Sequence, residues 1–187
     1  MNQSETLISV LQEDHNDLRQ LLIELGYLVE FERLRRSVTQ LLIAEMVRHT
    51  VAEETYMYPV ARTHLPQGTR IIEREIAGHI ELERVLRRMD LPDLTSAEFS
   101  SLLAELNAEA GPHARAEENH LFPLLARYLT PEELVAVGEN AAAAKEKASL
   151  RQYLAQPDSS LRDRLVTSGT TMVERVRAYL HGGAYPL

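Results

Sequence analysis

Apolar residues recur at intervals of three and four along most of this chain, and no segment alternates apolar and polar residues as a half-buried strand would. The pattern therefore predicts an all-α protein. Four long helices account for the larger part of the sequence. They are expected from near Ser4 to Gly26, from about Phe31 to Arg62, from Thr69 to the Leu-Pro-Asp segment at 91–93, and from Thr95 or Ser96 to about Tyr128.

Two shorter helices are predicted after these four. Thr130, followed by Pro131 and two glutamates, is a typical helix N-terminus, and a last helix is expected from about Ser160 to Leu180. We expect the first four helices to form a bundle within one domain, residues 1–129. Residues 130–187 are expected to form a helical extension packed on or beside that bundle.

Prolines interrupt the helical pattern at three places. Pro59 and Pro123 lie inside the second and fourth helices, and each is expected to kink or end its helix because proline lacks an amide hydrogen. Gly111 and Pro112 come immediately before His113. We therefore also expect a kink or an interruption of the fourth helix at that histidine.

Polar residues inside these helices repeat at an interval of 64 residues. Histidine and glutamate make the strongest part of the repeat, since His15, His49 and Glu53 recur as His79, His113 and Glu117. Neighbouring positions repeat as well: Leu18, Leu22, Glu45, Glu54 and Pro59 recur as Leu82, Leu86, Glu109, Glu118 and Pro123. A helix–loop–helix unit is therefore predicted to occur twice, each copy supplying two imidazoles and one carboxylate.

The spacing within each copy suits a metal site. Four residues separate histidine from glutamate on the second and fourth helices, which places both side chains on one helix face. The other two histidines can approach the same cavity from facing helices. Imidazole and carboxylate together suit iron, manganese or zinc. Without cysteine, and with six or more ligands, a closed tetrahedral zinc site is a poor match, so two iron ions bridged by Glu53 and Glu117 fit better.

The alternative is that these side chains are structural. A single histidine in a helix is more often a surface residue or a hydrogen-bonded core residue than a ligand. Four histidines and two glutamates in register would, however, bury charge at a high cost unless a metal or a partner neutralised it. We therefore interpret the set as a metal site.

Composition and net charge limit the kinds of site and partner that the protein can have. The chain of 187 residues has a formal net charge of −8, which disfavours binding to a phosphate backbone. It has no cysteine, which excludes disulfides, thiolate ligands and cysteine nucleophiles. No signal segment and no membrane-spanning run of apolar residues is visible. We therefore expect a cytoplasmic protein with neither nucleic-acid nor membrane partners.

The order of these motifs resembles that of hemerythrin-like (HHE cation-binding) proteins. The chain has one histidine on the first helix, H-x-x-x-E-E on the second, one histidine on the third and H-x-x-x-E-E-x-x-x-F-P on the fourth. The resemblance covers about residues 4 to 129. It implies an antiparallel four-helix bundle that holds an oxo- or hydroxo-bridged diiron centre, with ligands at His15, His49, Glu53, His79, His113 and Glu117.

The chain also departs from oxygen-carrying hemerythrins. These proteins have a second histidine four residues along the third helix, where this chain has Glu83, and a five-residue spacing to aspartate on the fourth helix, where this chain has four residues and Glu117. Glu83 is either a seventh ligand or a surface acid paired with Arg84 or Arg87. A centre richer in carboxylate should favour ferric iron, so the resemblance favours sensing, peroxide or oxygen reduction, or iron handling over reversible oxygen carriage.

Other residues near the predicted site are expected to support it. Tyr56 and His120 lie two helical turns beyond a ligand histidine, so both are expected to face the cavity and to hydrogen-bond to the ligands. Glu45 and Glu109 lie one turn before a ligand histidine, where each either accepts a ring N–H or faces water. Arg19 is expected to be solvated. The four repeated leucines are core residues, some of which are candidates to line an oxygen pocket.

The leading hypothesis is a non-haem diiron protein that binds or reacts with dioxygen, peroxide or nitric oxide, as a sensor, a stress-response protein or an iron-handling protein. Sequence does not separate an enzyme from a sensor or store, and it leaves the oligomeric state open. One alternative is a ferritin-like carboxylate diiron oxidase or iron store. Such sites need Glu-x-x-His from two helices, and this chain has that spacing once, from Glu117 to His120. Another is an interaction module in which metal occupancy switches a surface.

Overall fold

The computed structural model describes residues 6–147, and every regular element within that range is helical. The prediction of an all-α protein is therefore confirmed. The helices are α1 (Leu7–Tyr27), α2 (Glu32–Ala52), α3 (Tyr58–His64), α4 (Gly68–Met89), α5 (Ser96–Ala116), α6 (Phe122–Tyr128) and α7 (Pro131–Lys147). A first π-helical turn (Glu53–Met57) joins α2 to α3, and a second π-helical turn (Glu117–Leu121) joins α5 to α6.

Four rods make a helical bundle. They are α1, the continuous run α2–α3, α4, and the continuous run α5–α6. Short connections join each rod to the next, so successive rods run antiparallel, and α1 packs on α2 and α5 while α4 packs on α5 and α2. This arrangement brings a middle section of each rod to one level of the bundle.

Threonine caps set the start of three helices. Thr6, Thr95 and Thr130 each accept a hydrogen bond from the backbone N–H three residues along, at 3.2 Å in each case. The side chain at that third position in turn accepts a hydrogen bond from the threonine N–H. This completes a capping box with Ser9, Glu98 and Glu133. The predicted start of α7 is confirmed, whereas α1 begins at Leu7 rather than near Ser4 because Thr6 caps it.

Pro59 and Pro123 do not end their helical rods, so that part of the prediction is wrong, but each lies in the first turn of a new α-helix, α3 or α6. A π-helical turn comes before each proline, and in it the N–H of Tyr58 bonds to the carbonyl of Glu53 and that of Phe122 to Glu117. Because these bonds span five residues instead of four, the hydrogen-bond register of the helix shifts by one residue just before the proline. Each proline then lies in the first turn of α3 or α6, where its missing N–H is tolerated.

The expected break at Gly111–Pro112 is also wrong. Helix α5 runs without interruption through Pro112 to Ala116. Pro112 and Ala108 are both exposed, so water can hydrogen-bond to the Ala108 carbonyl that the proline leaves without its usual donor. His113 therefore sits on a continuous helix.

The connection between α3 and α4 is tight. Gln67 adopts a left-handed backbone conformation with φ of 59°, and Gly68 begins α4. A Cβ atom at Gly68 would overlap the carbonyl oxygen of Ala61. Glycine at this position therefore allows α4 to start directly against α3.

Two apolar layers enclose the middle of the bundle. The upper core lies toward the α1–α2 and α4–α5 connections and includes Leu18, Leu22, Leu25, Leu42, Ile43, Val47, Leu82, Val85, Leu86, Phe99 and Leu106. The lower core lies toward α3 and α6 and includes Leu7, Leu11, Met57, Tyr58, Ala61, Ile72, Leu121, Phe122 and Leu125. Buried polar residues occupy the level between these layers.

Helix α7 packs against α1, α2 and the first π-helical turn. Its Leu134 and Ala141 are buried with the lower core. The sixth predicted helix, from about Ser160 to Leu180, lies outside the described residues. None of the helices in residues 6–147 has the length and apolar character needed to cross a membrane.

Candidate metal centre

Six polar side chains from the four rods meet between the two apolar layers. His15 lies on α1, His49 on α2, His79 on α4 and His113 on α5, and Glu53 and Glu117 are the first residues of the two π-helical turns. Both glutamates are fully buried, and His15, His49 and His79 are at most 5% exposed. The structure therefore brings together the six residues of the 64-residue repeat.

Each glutamate spans two imidazoles. The Glu53 carboxylate lies 3.0 Å from Nε2 of His49 through Oε1, and 3.1 Å from Nε2 of His79 through Oε2. Oε2 of Glu117 lies 3.3 Å from Nε2 of His15 and 3.8 Å from Nε2 of His113. Potential ligand atoms gather in three groups within 4.8 Å: His15, His49, Glu53 and Glu117; Glu53, His79 and His113; and Glu75, His113 and Glu117.

A carboxylate also holds the outer nitrogen of every site histidine. The Nδ1 partners are Glu118 for His15 at 2.9 Å, Asp14 for His49 at 3.2 Å, Glu54 for His79 at 3.0 Å and Glu75 for His113 at 3.2 Å. Because a carboxylate accepts hydrogen bonds, each Nδ1 carries a proton, and each Nε2 presents a lone pair to the centre whenever the ring is neutral. This orientation suits metal ligation, where an outer carboxylate fixes the imidazole and raises its basicity.

The 64-residue repeat includes only two of these four outer carboxylates. Glu54 and Glu118 belong to the repeat, but their role was not predicted. Asp14 and Glu75 do not correspond across the repeat, so that comparison could not find them. The two residues proposed for this role lie elsewhere: Glu45 pairs with Arg48 at 2.7 Å, and Glu109 is exposed.

The donor atoms fit a cation. Nε2 of His79 and Nε2 of His113 lie 3.2 Å apart, which brings two lone pairs together when both Nδ1 atoms carry protons. Among the described side chains, residues 6–143, five further inward atoms are buried without a well-aligned hydrogen bond, although imidazole and carboxylate lie close together: Nε2 of His15 and His49, both oxygens of Glu53, and Oε2 of Glu117. Buried polar atoms of this kind are costly unless paired. Metal ions at this level would satisfy them, so the residues fit the metal site expected from the sequence.

The electrostatics of the metal-free site point the same way. Burial lowers the pKa of His49, but the charge of Glu53 and hydrogen bonds with Asp14 and Glu53 outweigh it and raise the pKa to about 10. Burial likewise lowers the pKa of His79, while hydrogen bonds with Glu53 and Glu54 raise it to about 9. At neutral pH, protonated His49 and His79 therefore supply positive charge in the centre that metal ions would otherwise supply.

The pKa values of the two buried glutamates shift in opposite directions. Burial raises the pKa of Glu53, but the neighbouring His49 and His79 outweigh it and hold that pKa well below its usual range. Burial, together with the charge of Glu53, raises the pKa of Glu117. As the pH rises, Glu53 therefore loses its proton before Glu117 does.

Tyr58, not Tyr56, is the tyrosine in the site. Its hydroxyl lies 3.0 Å from Nε2 of His79 and 3.5 Å from Oε1 of Glu117. Tyr56 is half-buried against the lower core, and His120 is exposed. The predicted positions fail because the π-helical turn brings the residue five positions after the glutamate, rather than three, back to the inner face.

The symmetry of the repeat is broken at this tyrosine. Tyr58 stacks on His79 with ring centroids 5.5 Å apart, and its repeat partner Phe122 stacks on His15 at 5.8 Å. Phenylalanine has no hydroxyl. The two halves of the centre therefore differ by one hydrogen-bonding group.

Two charged candidates lie outside the ligand groups. Glu83 pairs with Arg87, with Nη2 and Oε1 2.5 Å apart, in agreement with the surface-acid reading, and is in none of the three groups above. Arg19 was expected to be solvated, but it pairs with Glu118. Through Glu118 it is connected to the outer nitrogen of His15.

A largely apolar cavity of about 310 Å³ opens onto the four histidines. Three of the four repeated leucines, Leu18, Leu22 and Leu82, line it. Leu86 is buried in the upper core. The centre is therefore reachable from one side of the bundle.

Comparison with known proteins agrees with this geometry. The model of the hemerythrin HHE cation-binding domain matches residues 6–125. An uncharacterized hemerythrin-like protein of Schizosaccharomyces pombe is 29% identical over 90 residues, which make up 48% of this chain and 44% of that protein. The matched part is thus less than half the length of that relative. No solved structure gives a significant match. From its match to the domain model over most of its length, the chain belongs to the hemerythrin HHE cation-binding domain family.

Proposed function

We propose that this protein holds two iron ions between the apolar layers and reacts there with dioxygen, peroxide or nitric oxide. The proposed ligands are His15, His49, Glu53, His79, His113 and Glu117. The carrying observation is that four Nε2 atoms and two buried carboxylates converge while a carboxylate holds each Nδ1. The cysteine-free sequence suits a reducing cytoplasm, which is the compartment we propose.

The protein's own groups orient the site and retain its protons. Glu53 and Glu117 each reach two imidazoles, so each is placed to bridge. Burial raises the pKa of the Tyr58 hydroxyl well above its usual range, so the phenol keeps its proton and can donate a hydrogen bond to Oε1 of Glu117 or to a molecule beside it. An iron pair supplies one-electron redox chemistry toward small oxidants when bound. The two apolar layers cover this level from above and below, and the cavity opens it on one side.

The composition of the site favours reduction, sensing or iron handling over reversible oxygen carriage. The inner donors are four imidazoles and two carboxylates, and four more carboxylates lie directly behind the imidazoles. Negative charge close to the site stabilises the more highly charged metal state. We therefore expect ferric iron to be favoured.

The ferritin-like alternative has less support. Its second Glu-x-x-His motif is missing from the sequence, and the one present ends at His120, which is exposed on the second π-helical turn. Sites of that class direct the histidine of each motif into the bundle. This observation favours the hemerythrin-type site.

Peroxide consumption by iron-loaded protein tests the proposed reactivity. His49→Ala removes one proposed ligand, and we expect it to lower the rate of peroxide consumption by at least about tenfold, since losing a group that acts with the metal costs more than 1.4 kcal/mol of barrier. His64→Ala is the matched control because His64 is exposed near the end of α3. Equal rates for wild type, His49→Ala and His64→Ala would refute the proposal.

A further inference from the structure

The cavity beside the centre is larger than a small oxidant requires. It measures about 310 Å³, with the four histidines on one side and apolar walls that include Leu18, Leu22, Met46 and Leu82. A water molecule takes up about 30 Å³ in the liquid, and sites for small organic molecules begin at about 300 Å³. The volume is therefore large enough for an organic molecule beside the centre, in addition to a small oxidant.

Small residues on α5 open this cavity. Ala110, Gly111 and Ala114 line it, and the positions 64 residues earlier on α2 hold larger side chains, Met46, Val47 and Thr50. Those three residues are buried on α2. Met46 and Thr50 line the same cavity from α2, so the side chains on its two walls differ in size, and the small residues of α5 leave the space.

An arginine stands at the rim of the cavity. The guanidinium of Arg115 folds back over Gly111, where an added Cβ would lie 3.2 Å from Nη1. Among the described side chains, residues 6–143, no ion pair joins Arg115 to a carboxylate, whereas Arg19 on the α1 side is paired with Glu118. A cation beside an apolar cavity complements a ligand with an apolar body and one anionic end.

We propose that this cavity binds a small amphipathic monocarboxylate. Its carboxylate contacts Arg115, and its apolar body lies between Leu18, Leu22 and Leu82, against the imidazoles. The role of this molecule as a substrate or effector of the centre rests on the proposed function, but its binding does not.

Calorimetric titration of the full chain tests the proposal. Octanoate is the probe, octanol is the uncharged control of the same chain length, and each is titrated into metal-free and iron-loaded protein. We expect octanoate to bind more tightly than octanol in both forms, because the contact with Arg115 needs no metal.

Three variants separate the charge from the cavity. Arg115→Gln should weaken octanoate about fivefold, as expected for an exposed charge contact, and leave octanol unchanged. Ala114→Leu fills the cavity and should abolish binding of both probes. Arg127→Gln, at an exposed arginine on α6, should bind both as the wild type does.

Two binding outcomes would rule out the carboxylate site at Arg115. Absence of octanoate binding in both forms would overturn it, as would binding that needs iron and is unchanged in Arg115→Gln, since the carboxylate would then be on the metal. Iron content is measured on the same samples. Octanoate binding to protein that takes up no iron would sink the proposed function alone, and iron without octanoate binding would sink this proposal alone.

Discussion

Each site histidine is engaged at both ring nitrogens, which distinguishes these residues from ordinary buried histidines. Nε2 faces the centre, and Nδ1 meets a carboxylate from a neighbouring rod, as His79 does with Glu54. The sequence pointed to the four imidazoles through their repeat. It could not point to all of their partners, because reasoning along one helix finds Glu45 and Glu109, whereas the true partners come from other elements.

Loss of an outer carboxylate should weaken metal binding without removing a ligand. In Glu54→Gln the amide no longer stabilises the Nδ1–H of His79 as a carboxylate does, so we expect the affinity for ferrous iron to fall by about 10- to 100-fold. Glu45→Gln is the control, since Glu45 pairs with Arg48. Competition with a chromophoric chelator gives both affinities, and equal values for the two variants would contradict the assigned role.

The metal-free protein should lose stability as the pH rises. The folded-state pKa is raised from 6.5 to about 10 for His49 and to about 9 for His79, so their contribution is complete below pH 6.5 and is lost as the pH passes through these values. Urea denaturation between pH 6.5 and 10 measures the free energy of unfolding. We expect a smaller decline with iron bound, because ligand imidazoles are then already neutral at Nε2. Equal pH dependence with and without iron would contradict this account.

At the level of elements, the two π-helical turns decide which residues face the centre. Apolar residues at intervals of three and four predicted the four rods well. The pattern failed beyond each ligand glutamate: Tyr58 faces His79, while Tyr56 lies to the side. A π-helical turn changes the register by about one residue, and no sequence rule that we applied detects it. The available signal is the proline that follows each ligand glutamate by six residues, which by itself predicts a kink or an end of the helix.

The start of α4 should tolerate no side chain. In Gly68→Ala the new Cβ meets the Ala61 carbonyl, a backbone atom that cannot move alone, so we expect a loss of about 1–3 kcal/mol in the free energy of unfolding. Gly26→Ala is the matched control because nothing lies within 4 Å of its Cβ position. Urea denaturation of both variants measures the difference. A Gly68→Ala protein as stable as Gly26→Ala would show that α3 and α4 are not in this close contact.

At the level of the whole molecule, two copies of one helical unit enclose a site that neither could form alone. Internal repetition made the bundle and the six inner residues predictable, since His15, His49 and Glu53 reappear in register. The differences between the copies were not predictable in their consequences. Tyr58 corresponds to Phe122 in the repeat, and the cavity is lined by Ala110, Gly111 and Ala114 on α5 where the equivalent positions on α2 hold larger residues. Such asymmetry depends on packing between rods, which a pattern along one chain does not report.

The number of iron ions per chain is the most direct test of the central claim. Full-length protein is loaded anaerobically with ferrous iron, freed of excess metal, exposed to air, and analysed for its elements beside its ultraviolet–visible spectrum. We expect about two irons per chain, together with charge-transfer absorption in the near ultraviolet. Glu53→Ala should lose both the iron and the absorption, because Glu53 reaches His49 and His79. Folded protein that retains no iron after this treatment would contradict the account.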